Sequence, residues 1–320
     1  MSPVLNIIIV NYRTPGLTVD CLASLEPEMA SVAGTRVWVV DNASGDDSDR
    51  IIREAIAARG WGAWATLLPA TKNYGFAGGN NRGLEAAGFA PYTLLLNSDT
   101  IVHRGCLQTC LDIMGRDPGI GVMSCKLLNA DGTVQNVARR FPHPFRIAAV
   151  TLGLDSRFPR QFGWADVDDP HWDRATMRRD VDWLGGAFLF IRGDVMARIG
   201  PLDESFFFYG EDIEFCHRVW KAGFRCRYDP AASVTHLGGG SSDPARLAAS
   251  ARSVHAWSAR YRVQRLCYGR LAAALVRAID VAGMTVRLAW AKVRGRASEP
   301  QARDWAASLR VITHRLGAIP

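Results

Sequence analysis

Apolar runs of strand length alternate with amphipathic stretches through the first part of the chain. Leu5–Val10, Val37–Val40 and Tyr92–Leu96 are short and mainly apolar, which is typical of strands buried on both faces of a sheet. After the first of these, Thr14-Pro15 provides a helix start, and apolar residues recur at helical spacing from Leu17 to Leu25. This alternation predicts βαβ units, and therefore an α/β fold with a mostly parallel sheet flanked by helices.

The pattern changes in the second half of the chain. Between residues 138 and 180, prolines, aromatic residues and arginines follow one another without a period, which predicts irregular structure. Order returns at Val181–Ile191, and a helix is predicted over Glu211–Ala222. The residues predicted to face the core from this helix are Ile213, Cys216, Val219 and Trp220. Beyond Ser242 the chain is predicted to be helical and rich in arginine.

Composition narrows the class of protein. The chain has 320 residues, of which 48% are hydrophobic, so it can bury a large core and is not a disordered protein. Seven cysteines are scattered without a C-x-x-C pair, so we expect neither disulfides nor a zinc site, and a reducing compartment. The N-terminus lacks the features of a secretory signal, and no apolar run is long enough to span a membrane. We therefore expect a cytoplasmic location.

The net charge of +7 is concentrated in one segment. Residues 246–296 contain ten arginines and one lysine against a single acid, Asp280, so this segment carries +10 and the rest of the chain −3. A segment with this charge can bind nucleic acid or an anionic membrane surface, or it can simply be exposed to solvent. No motif of a nucleic-acid-binding fold accompanies it, so we expect no nucleic-acid partner.

An anionic membrane surface is the partner that we expect for residues 246–296. The apolar surface would come from Leu271, Ala274, Leu275, Ala278, Val281, Ala282 and Leu288, and the charge from Arg270, Arg277, Arg287, Lys292 and Arg294. Charges within this stretch favour a helix that lies in the membrane interface over one that spans the bilayer. The alternative is a helical hairpin that packs on the rest of the protein or forms a homodimer.

Polar side chains follow directly after the apolar run that ends at Leu96. Open α/β sheets bind ligands beyond the carboxyl ends of their strands, where Asn97 and Asp99 are expected to lie. The carboxylate of Asp99 is a candidate ligand for a hard divalent cation, and His236 is a candidate second ligand. Each has an ordinary alternative: a solvated aspartate at a strand end, and a histidine that only makes hydrogen bonds.

Two further segments are candidates for binding a nucleotide. Asp41 ends the second strand, where doubly wound folds often contact a base or ribose, although it could also belong to a simple turn. The glycine-dense segment 72–81 opens a helix, where backbone can approach an anion closely. It could equally be a loop that needs glycines for its backbone conformation.

Glu211 and Asp212 stand at the start of a predicted helix, and four consecutive aromatic residues, Phe206–Tyr209, precede them with only Gly210 between. Acids at a helix start are favoured by the helix dipole for structural reasons alone. The aromatic run nevertheless indicates a partly desolvated wall beside these carboxylates. Since a carboxylate can remove a proton from a sugar hydroxyl, either acid is a candidate base.

These motifs, in this order, resemble the family 2 glycosyltransferases of the GT-A fold, and within them the bacterial rhamnosyltransferase-like branch that builds cell-surface polysaccharide. The resemblance extends over about residues 4–240 and rests on the whole ordered set, because each motif is weak alone. The motifs are Ile9–Tyr12, Val40–Ser44, Asn73–Asn80, Asn97–Asp99, Gly185–Ala187, Glu211-Asp212 and His236.

The resemblance implies an inverting transfer of a sugar from a nucleoside diphosphate donor, on a Rossmann-like GT-A sheet. It implies that Asn11, Tyr12, Arg13 and Asp41 line the base and ribose, and that Lys72, Asn73, Gly75, Asn80, Asn97 and Asp99 line the diphosphate and sugar. It also implies that Asp99 and His236 hold Mg²⁺ or Mn²⁺, and that Asp212 is the base with Glu211 beside it. The acceptor would be seated by Trp183, Phe208 and Tyr209. Asn97 stands where an Asp-x-Asp triplet has its first acid.

By the same resemblance, residues 1–245 form the glycosyltransferase domain, with a nucleotide-sugar half (1–130) and an acceptor half (131–245). Residues 246–320 form a basic helical extension. The first expected donor is dTDP-rhamnose, with UDP-linked hexoses left open. The expected acceptor is a saccharide, lipid-linked, in cell-surface polysaccharide synthesis. The enzyme would then lie peripherally on the inner face of the cell membrane.

Two other functions stay open from the sequence. A sugar nucleotidyltransferase shares the α/β core, but it needs an N-terminal glycine-rich loop for a triphosphate, which residues 11–14 do not supply. A non-catalytic saccharide-binding or scaffold protein would not need Asp99, Asp212 and His236 together.

Overall fold

The computed structural model describes residues 4–169, 172–238, 249–296 and 298–315. The first part of the chain alternates strands and helices, as predicted, and it contains two further strands, Ala65–Pro69 and Thr100–Val102, that were not predicted. The strands are β1 (Leu5–Asn11), β2 (Thr35–Asp41), β3 (Ala65–Pro69), β4 (Tyr92–Asn97), β5 (Thr100–Val102) and β6 (Ile120–Leu128). The helices are α1 (Pro15–Ser31), α2 (Ser48–Ala58), α3 (Gly75–Ala87) and α4 (Cys106–Arg116).

The second part of the chain is more varied. Its strands are β7 (Ala138–Arg139), β8 (Arg179–Val181), β9 (Trp183–Leu184), β10 (Phe188–Arg192) and β11 (Arg225–His236). Its helices are α5 (Pro144–Thr151), α6 (Leu154–Arg157), α7 (Pro159–Phe162), α8 (Gly193–Ile199), α9 (Glu211–Lys221), α10 (Ala249–Tyr268), α11 (Arg270–Val293) and α12 (Pro300–Arg310). Short 3₁₀ turns lie at Trp61–Ala63 and Gly163–Ala165, and a π-helical turn lies at Val311–Arg315.

The main sheet has the strand order β3-β2-β1-β4-β10-β6-β11-β5, with β8 paired to β11, and β7 and β9 form a separate two-stranded sheet. The four strands β3, β2, β1 and β4 are parallel neighbours, and β6 and β11 are also parallel. The α/β fold predicted from the sequence is therefore confirmed. The strand β10, which runs antiparallel between β4 and β6, is an addition that the pattern did not predict.

Strand register brings the candidate residues to one edge of this sheet. Asn11 at the end of β1 is opposite Asp41 at the end of β2, and Val10 is opposite Asn97 at the end of β4. The strands themselves are buried on both faces, with Ile8 and Leu95 fully buried. Apolar packing therefore fixes where the polar strand ends meet.

Two predictions about the second half of the chain are wrong in part. Residues 138–180 were expected to be irregular, yet they contain α5, α6 and α7. Pro144 starts α5, because its missing N–H costs nothing at the first helical position, and Ile147 then packs into a second core with Tyr261 and Val276. In α9, Trp220 lies on the surface instead of in the core, with its indole N–H bonded to the carbonyl groups of Val181 and Asp182.

The C-terminal helices pack onto the preceding domain. Ala259 and Val263 of α10 bury Phe206, and Gln264 donates a hydrogen bond to the carbonyl of Pro142 at 2.6 Å. Asp280 of α11 is buried and ion-paired to Arg260 of α10. The expected boundary between residues 245 and 246 lies outside the described residues, so the domain limits stay a prediction.

The outer face of α11 differs from the surface that was predicted. Val281 packs against the second core, and Arg277 and Arg287 donate hydrogen bonds to backbone carbonyl groups inside the protein. Periodicity cannot tell these inward positions from the exposed ones. The large apolar side chains that α11 does expose are Leu271, Leu275, Val286, Trp290 and Val293. Within the described ranges, no helix is long and apolar enough to cross a membrane.

Candidate functional site

A cleft of about 200 Å³ opens beyond the carboxyl ends of β1, β2 and β4. Its lining combines strand ends, the start of α3, the aromatic loop before α9 and one residue of α10. The lining residues are Val10, Tyr12, Asn42, Asn73, Gly75, Phe76, Asn97, Ser98, Asp99, Phe207, Phe208 and His255. This is the edge at which open α/β sheets bind ligands.

Asp99 and His236 meet at this cleft although they are far apart in the sequence. The end of β11 pairs with β5, which places His236 Nε2 3.3 Å from the Oδ1 atom of Asp99. The amide nitrogen of Asn97 lies 3.4 Å from the same Nε2 atom. The other ring nitrogen of His236, Nδ1, lies 2.8 Å from Oε1 of Gln135.

Gln135 fixes the tautomer of His236. Its amide nitrogen donates to the His236 carbonyl and to Oδ1 of Asn129, each at 2.7 Å, so its Oε1 atom accepts from Nδ1. A neutral imidazole that donates through Nδ1 presents a lone pair at Nε2. In this tautomer the Nε2 lone pair faces the Asp99 carboxylate oxygen across 3.3 Å, which suits a cation between them.

This donor set fits a divalent cation that is completed by a ligand. One carboxylate and one imidazole supply two positions, and hard cations bound through few side chains take further oxygens from phosphates and water. Within the described residues, no group of three or more His, Cys, Asp and Glu side chains could hold a metal ion. An anionic ligand together with water could complete the coordination.

Glu211 and Asp212 begin α9 beside the cleft. The carboxylate of Asp212 accepts hydrogen bonds from the backbone N–H of Ile213 at 2.8 Å and of Gly186 at 3.2 Å. Neither acid is among the residues that line the cleft, but a Cβ added to Gly186 would lie 3.9 Å from Asp212 Oδ2 and 3.4 Å from the ring of Phe76, which does line it. Glu211 is buried, and its Oε2 atom has no hydrogen-bond partner among the described residues.

Burial raises the pKa of both carboxyl groups. The pKa of Asp212 rises to about 6, because burial outweighs the backbone hydrogen bonds and the nearby Arg139 that lower it. The pKa of Glu211 rises to about 8, because it is more poorly solvated and lies next to Asp212. Near neutral pH, Asp212 is therefore an anion poised to accept a proton, and Glu211 is neutral.

The residues expected at the base and ribose form a buried network with an exposed rim. Asn11 is fully buried; its amide nitrogen donates to Asp41 Oδ1 at 2.7 Å, and its Oδ1 accepts from Thr18 at 2.8 Å. Asp41 is buried as well. The backbone N–H and the guanidinium of Arg13 both bond to Ser44. Of the four expected residues, only Tyr12 lines the cleft, while Asn11 and Asp41 hold the loops around it.

The residues of segment 72–80 that were expected at the diphosphate and sugar also fall into two groups, those that line the cleft and those that do not. Asn73 and Gly75 line the cleft, whereas Asn80 is buried and donates to the Phe76 carbonyl at 2.9 Å. Lys72 is exposed, with its amine over the Tyr74 ring. Gly75 has a φ of +72°, and a Cβ there would collide with the Phe207 carbonyl oxygen, so glycine permits the aromatic loop to close over the cleft.

Of the three expected acceptor residues, only Phe208 is among the residues that line the cleft. Phe208 lines the cleft, and Tyr209 is exposed with its ring centroid 4.2 Å from that of Phe208. Trp183 lies apart on β9, where its indole N–H donates to the Arg140 carbonyl at 2.9 Å and Arg139 stacks over its ring. These roles, like those of the donor and metal residues, stay predictions.

Several residues at the site were missed by the sequence reasoning. Asn42 donates to Asn73 and to the Gly75 carbonyl, and its position directly after Asp41 could have suggested this role. Gln135, which orients His236, had no local signal. His255 of α10 lines the cleft and stacks on Phe207 with the ring centroids 5.1 Å apart, although it lies in the segment that was assigned to the membrane.

The chain is similar in sequence to proteins that are named rhamnosyltransferases. An N-acetylglucosaminyl-diphospho-decaprenol L-rhamnosyltransferase of Mycobacterium tuberculosis is 29% identical over 269 residues, which cover 80% of this chain and 84% of that protein. The rhamnosyltransferase WbbL of Escherichia coli is 27% identical over 149 residues, covering 45% of this chain and 52% of the relative.

Solved structures share the fold at low sequence identity. The mannosyltransferase PcManGT of Pyrobaculum calidifontis, in complex with GDP-Man and Mn²⁺, superposes with a TM-score of 0.56 at 15% identity, covering 98% of this chain and 85% of that one. Staphylococcus aureus TarS, residues 1–349, gives a TM-score of 0.52 at 13% identity, with coverage of 98% and 82%. Residues 3–259 match the family described as "Glycosyltransferase like family 2", and the chain therefore belongs to the family 2 glycosyltransferases.

Proposed function

We propose that this glycosyltransferase moves a sugar, with rhamnose as the first candidate, from a nucleoside diphosphate to a lipid-linked saccharide, with inversion at the anomeric carbon. The observation that carries the proposal is that two groups adjoin one cleft. Asp99 lines the cleft and contacts His236, and the Asp212 carboxylate lies beside Gly186, which adjoins the cleft-lining ring of Phe76.

The geometry suits a single displacement. The acceptor hydroxyl attacks the anomeric carbon from the side of Asp212, and the Asp212 carboxylate accepts the proton of this hydroxyl. A divalent cation held by Asp99 and His236, either Mg²⁺ or Mn²⁺, would supply Lewis acidity for the departing diphosphate. Because attack and departure occur on opposite faces of the anomeric carbon, its configuration inverts.

The choice of donor and acceptor is supported by the relatives. Two of them are named rhamnosyltransferases, and the one from M. tuberculosis is named for a lipid diphosphate acceptor, which makes dTDP-rhamnose and a polyprenyl diphosphate saccharide the first pair to test. The exposed apolar face of α11 and the exposed basic residues Arg270, Lys292 and Arg294 suit an anionic membrane surface. A lipid-linked acceptor would then be met at the inner face of the membrane.

The test combines binding and turnover. The full chain is screened for thermal stabilisation by dTDP-rhamnose, UDP-glucose, UDP-GlcNAc and GDP-mannose, each with and without Mn²⁺. Release of nucleoside diphosphate is then measured with a GlcNAc-diphospho-polyprenol acceptor. We expect metal-dependent stabilisation by one donor and acceptor-dependent release. Saccharide binding without release from any donor would favour a binding protein, and turnover of a nucleoside triphosphate with a sugar phosphate would favour a nucleotidyltransferase.

A further inference from the structure

A second and larger cavity lies on the acceptor half of the protein, outside the donor cleft. It is an open groove of about 990 Å³ between α5, the turn at Gly163–Ala165, α9 and the end of α10. Its walls are mainly aromatic and aliphatic, with Phe141, Phe145, Leu152, Phe162, Trp164 and Trp220 among them. This volume is at the upper end of the range of small-molecule sites, so the groove can take a bulky apolar ligand.

The walls of the groove are held in place by the protein core. Ile147, on the inner side of α5, is buried with Tyr261 and Val276, which anchors α5 to the C-terminal helices. The outer side of the same segment exposes Phe145 by 69% and Leu152 by 64%. Large apolar side chains that are fixed in this way and left in water form a patch of the kind that binds apolar partners.

Helix α9 connects the groove with the proposed base. His217 of α9 lines the groove and lies five residues after Asp212, which is about 7.5 Å along a helix axis. Asp182 also lines it, accepts a hydrogen bond from the Phe141 N–H at 2.7 Å, and directly precedes Trp183. A ligand whose polar end reaches Asp212 could therefore extend an apolar end into the groove.

Charge and surroundings indicate what kind of apolar ligand fits. Arg146 and Lys221 line the groove among its apolar residues and can pair with a diphosphate. The outer end of α5 meets α11, where the Thr151 carbonyl accepts from Arg287, so the groove lies next to the helix that carries the exposed apolar face. A molecule that consists of a sugar, a diphosphate and a hydrocarbon chain matches this arrangement, with the sugar at Asp212, the diphosphate at Arg146 and Lys221, and the chain along the apolar walls.

We propose that this groove binds the hydrocarbon chain of the lipid-linked acceptor, an inference that rests on the proposed function. The sugar of the acceptor then lies at Asp212, its diphosphate lies near Arg146 and Lys221, and its chain runs along Phe145 and Trp164 towards the membrane. Contact with the chain would distinguish the natural acceptor from a water-soluble saccharide.

The test compares acceptors that differ only in the chain. GlcNAc-diphosphate esters with a long polyprenyl chain or a five-carbon chain are assayed in detergent micelles, with Phe145→Glu and the groove-filling Ala148→Trp. Phe89→Glu is the matched control, because Phe89 is 66% exposed and lies away from the groove. We expect both groove variants to raise KM for the long-chain acceptor at least tenfold, with kinetics on the short-chain acceptor unchanged within twofold. The control should change neither.

Groove variants that match the wild type on both acceptors, or lose activity equally on both, would overturn the inference. Direct binding separates this failure from failure of the proposed function. Trp164 and Trp220 report on the groove, so the change of tryptophan fluorescence on addition of a long-chain polyprenyl diphosphate is measured for the wild type and for Phe145→Glu. Binding that is weakened by the variant supports the groove even if no sugar is transferred. Absence of binding to the wild type would refute it.

Discussion

Replacement of Asp212 by asparagine gives the sharpest test of the proposed mechanism. Removing a general base costs about 10²–10⁴-fold in rate, so Asp212→Asn should lower kcat by this factor. Donor binding should be nearly unchanged, because Asp212 is not among the residues that line the cleft.

The raised pKa of Asp212 sets the shape of the pH profile. Only the ionised carboxylate can accept the proton, and with a pKa of about 6 half of it is ionised at pH 6 and roughly a tenth at pH 5. The value of kcat/KM for the acceptor should therefore fall about tenfold per pH unit below 6 and level off above pH 7. Glu211→Gln should leave this acid limb in place, because Glu211 is neutral at pH 6.

The assay is the initial rate of nucleoside diphosphate release between pH 5 and 9, with saturating donor and limiting acceptor. Donor affinity is measured separately by calorimetry at pH 7.5. Two results would refute the reasoning: wild-type turnover by Asp212→Asn, or an acid limb near pH 6 that survives in the residual activity of this variant.

Three further predictions follow from other parts of the structure. Asp99→Ala and His236→Ala should each weaken donor binding in the presence of Mn²⁺ and reduce the difference made by the metal; a calorimetric metal effect that is undiminished in both variants would exclude a shared cation site. For Glu211, whose pKa is raised from 4.5 to about 8, the folded state keeps a proton that the unfolded state loses, so stability falls as pH rises through this window. Glu211→Gln should therefore raise the Tm relative to the wild type by an amount that grows from pH 5 to pH 8, and a constant difference in thermal-shift measurements would contradict this. Leu271 and Val286 both lie on the exposed face of α11, so the double variant Leu271→Glu, Val286→Glu should co-sediment less with anionic vesicles, and wild-type binding should weaken at high salt. Equal sedimentation of the double variant and the wild type would argue against membrane contact. So would a dimer in light scattering that the wild type forms and the double variant loses at every salt concentration.

The sequence determined the architecture of the N-terminal half and the region of the site. Strand and helix periods are local signals, so β1, β2 and β4 could be read directly from the apolar pattern, whereas the short strand β3 was not predicted. Because parallel strands end at one edge, Asp41, Asn97 and Asp99 were expected to gather there, and the register brings the ends of β1, β2 and β4 together. Helix α9 with its two leading acids was equally visible as a local pattern.

Only the tertiary structure decided which of these residues face the cleft and what surrounds them. Asn11 and Asp41 form a hydrogen bond with each other in the interior, and no pattern along the chain reveals this contact. Gln135 holds His236 across 101 residues, and His255 reaches the cleft from a helix that the sequence assigned elsewhere. Inward and outward positions on α11, and the apolar groove beside α5, likewise depend on which helices pack together. The physical reason is that the period of apolar residues along the chain determines where helices and strands form. The free-energy cost of burying a polar group or exposing an apolar one depends instead on neighbours that are distant in the sequence.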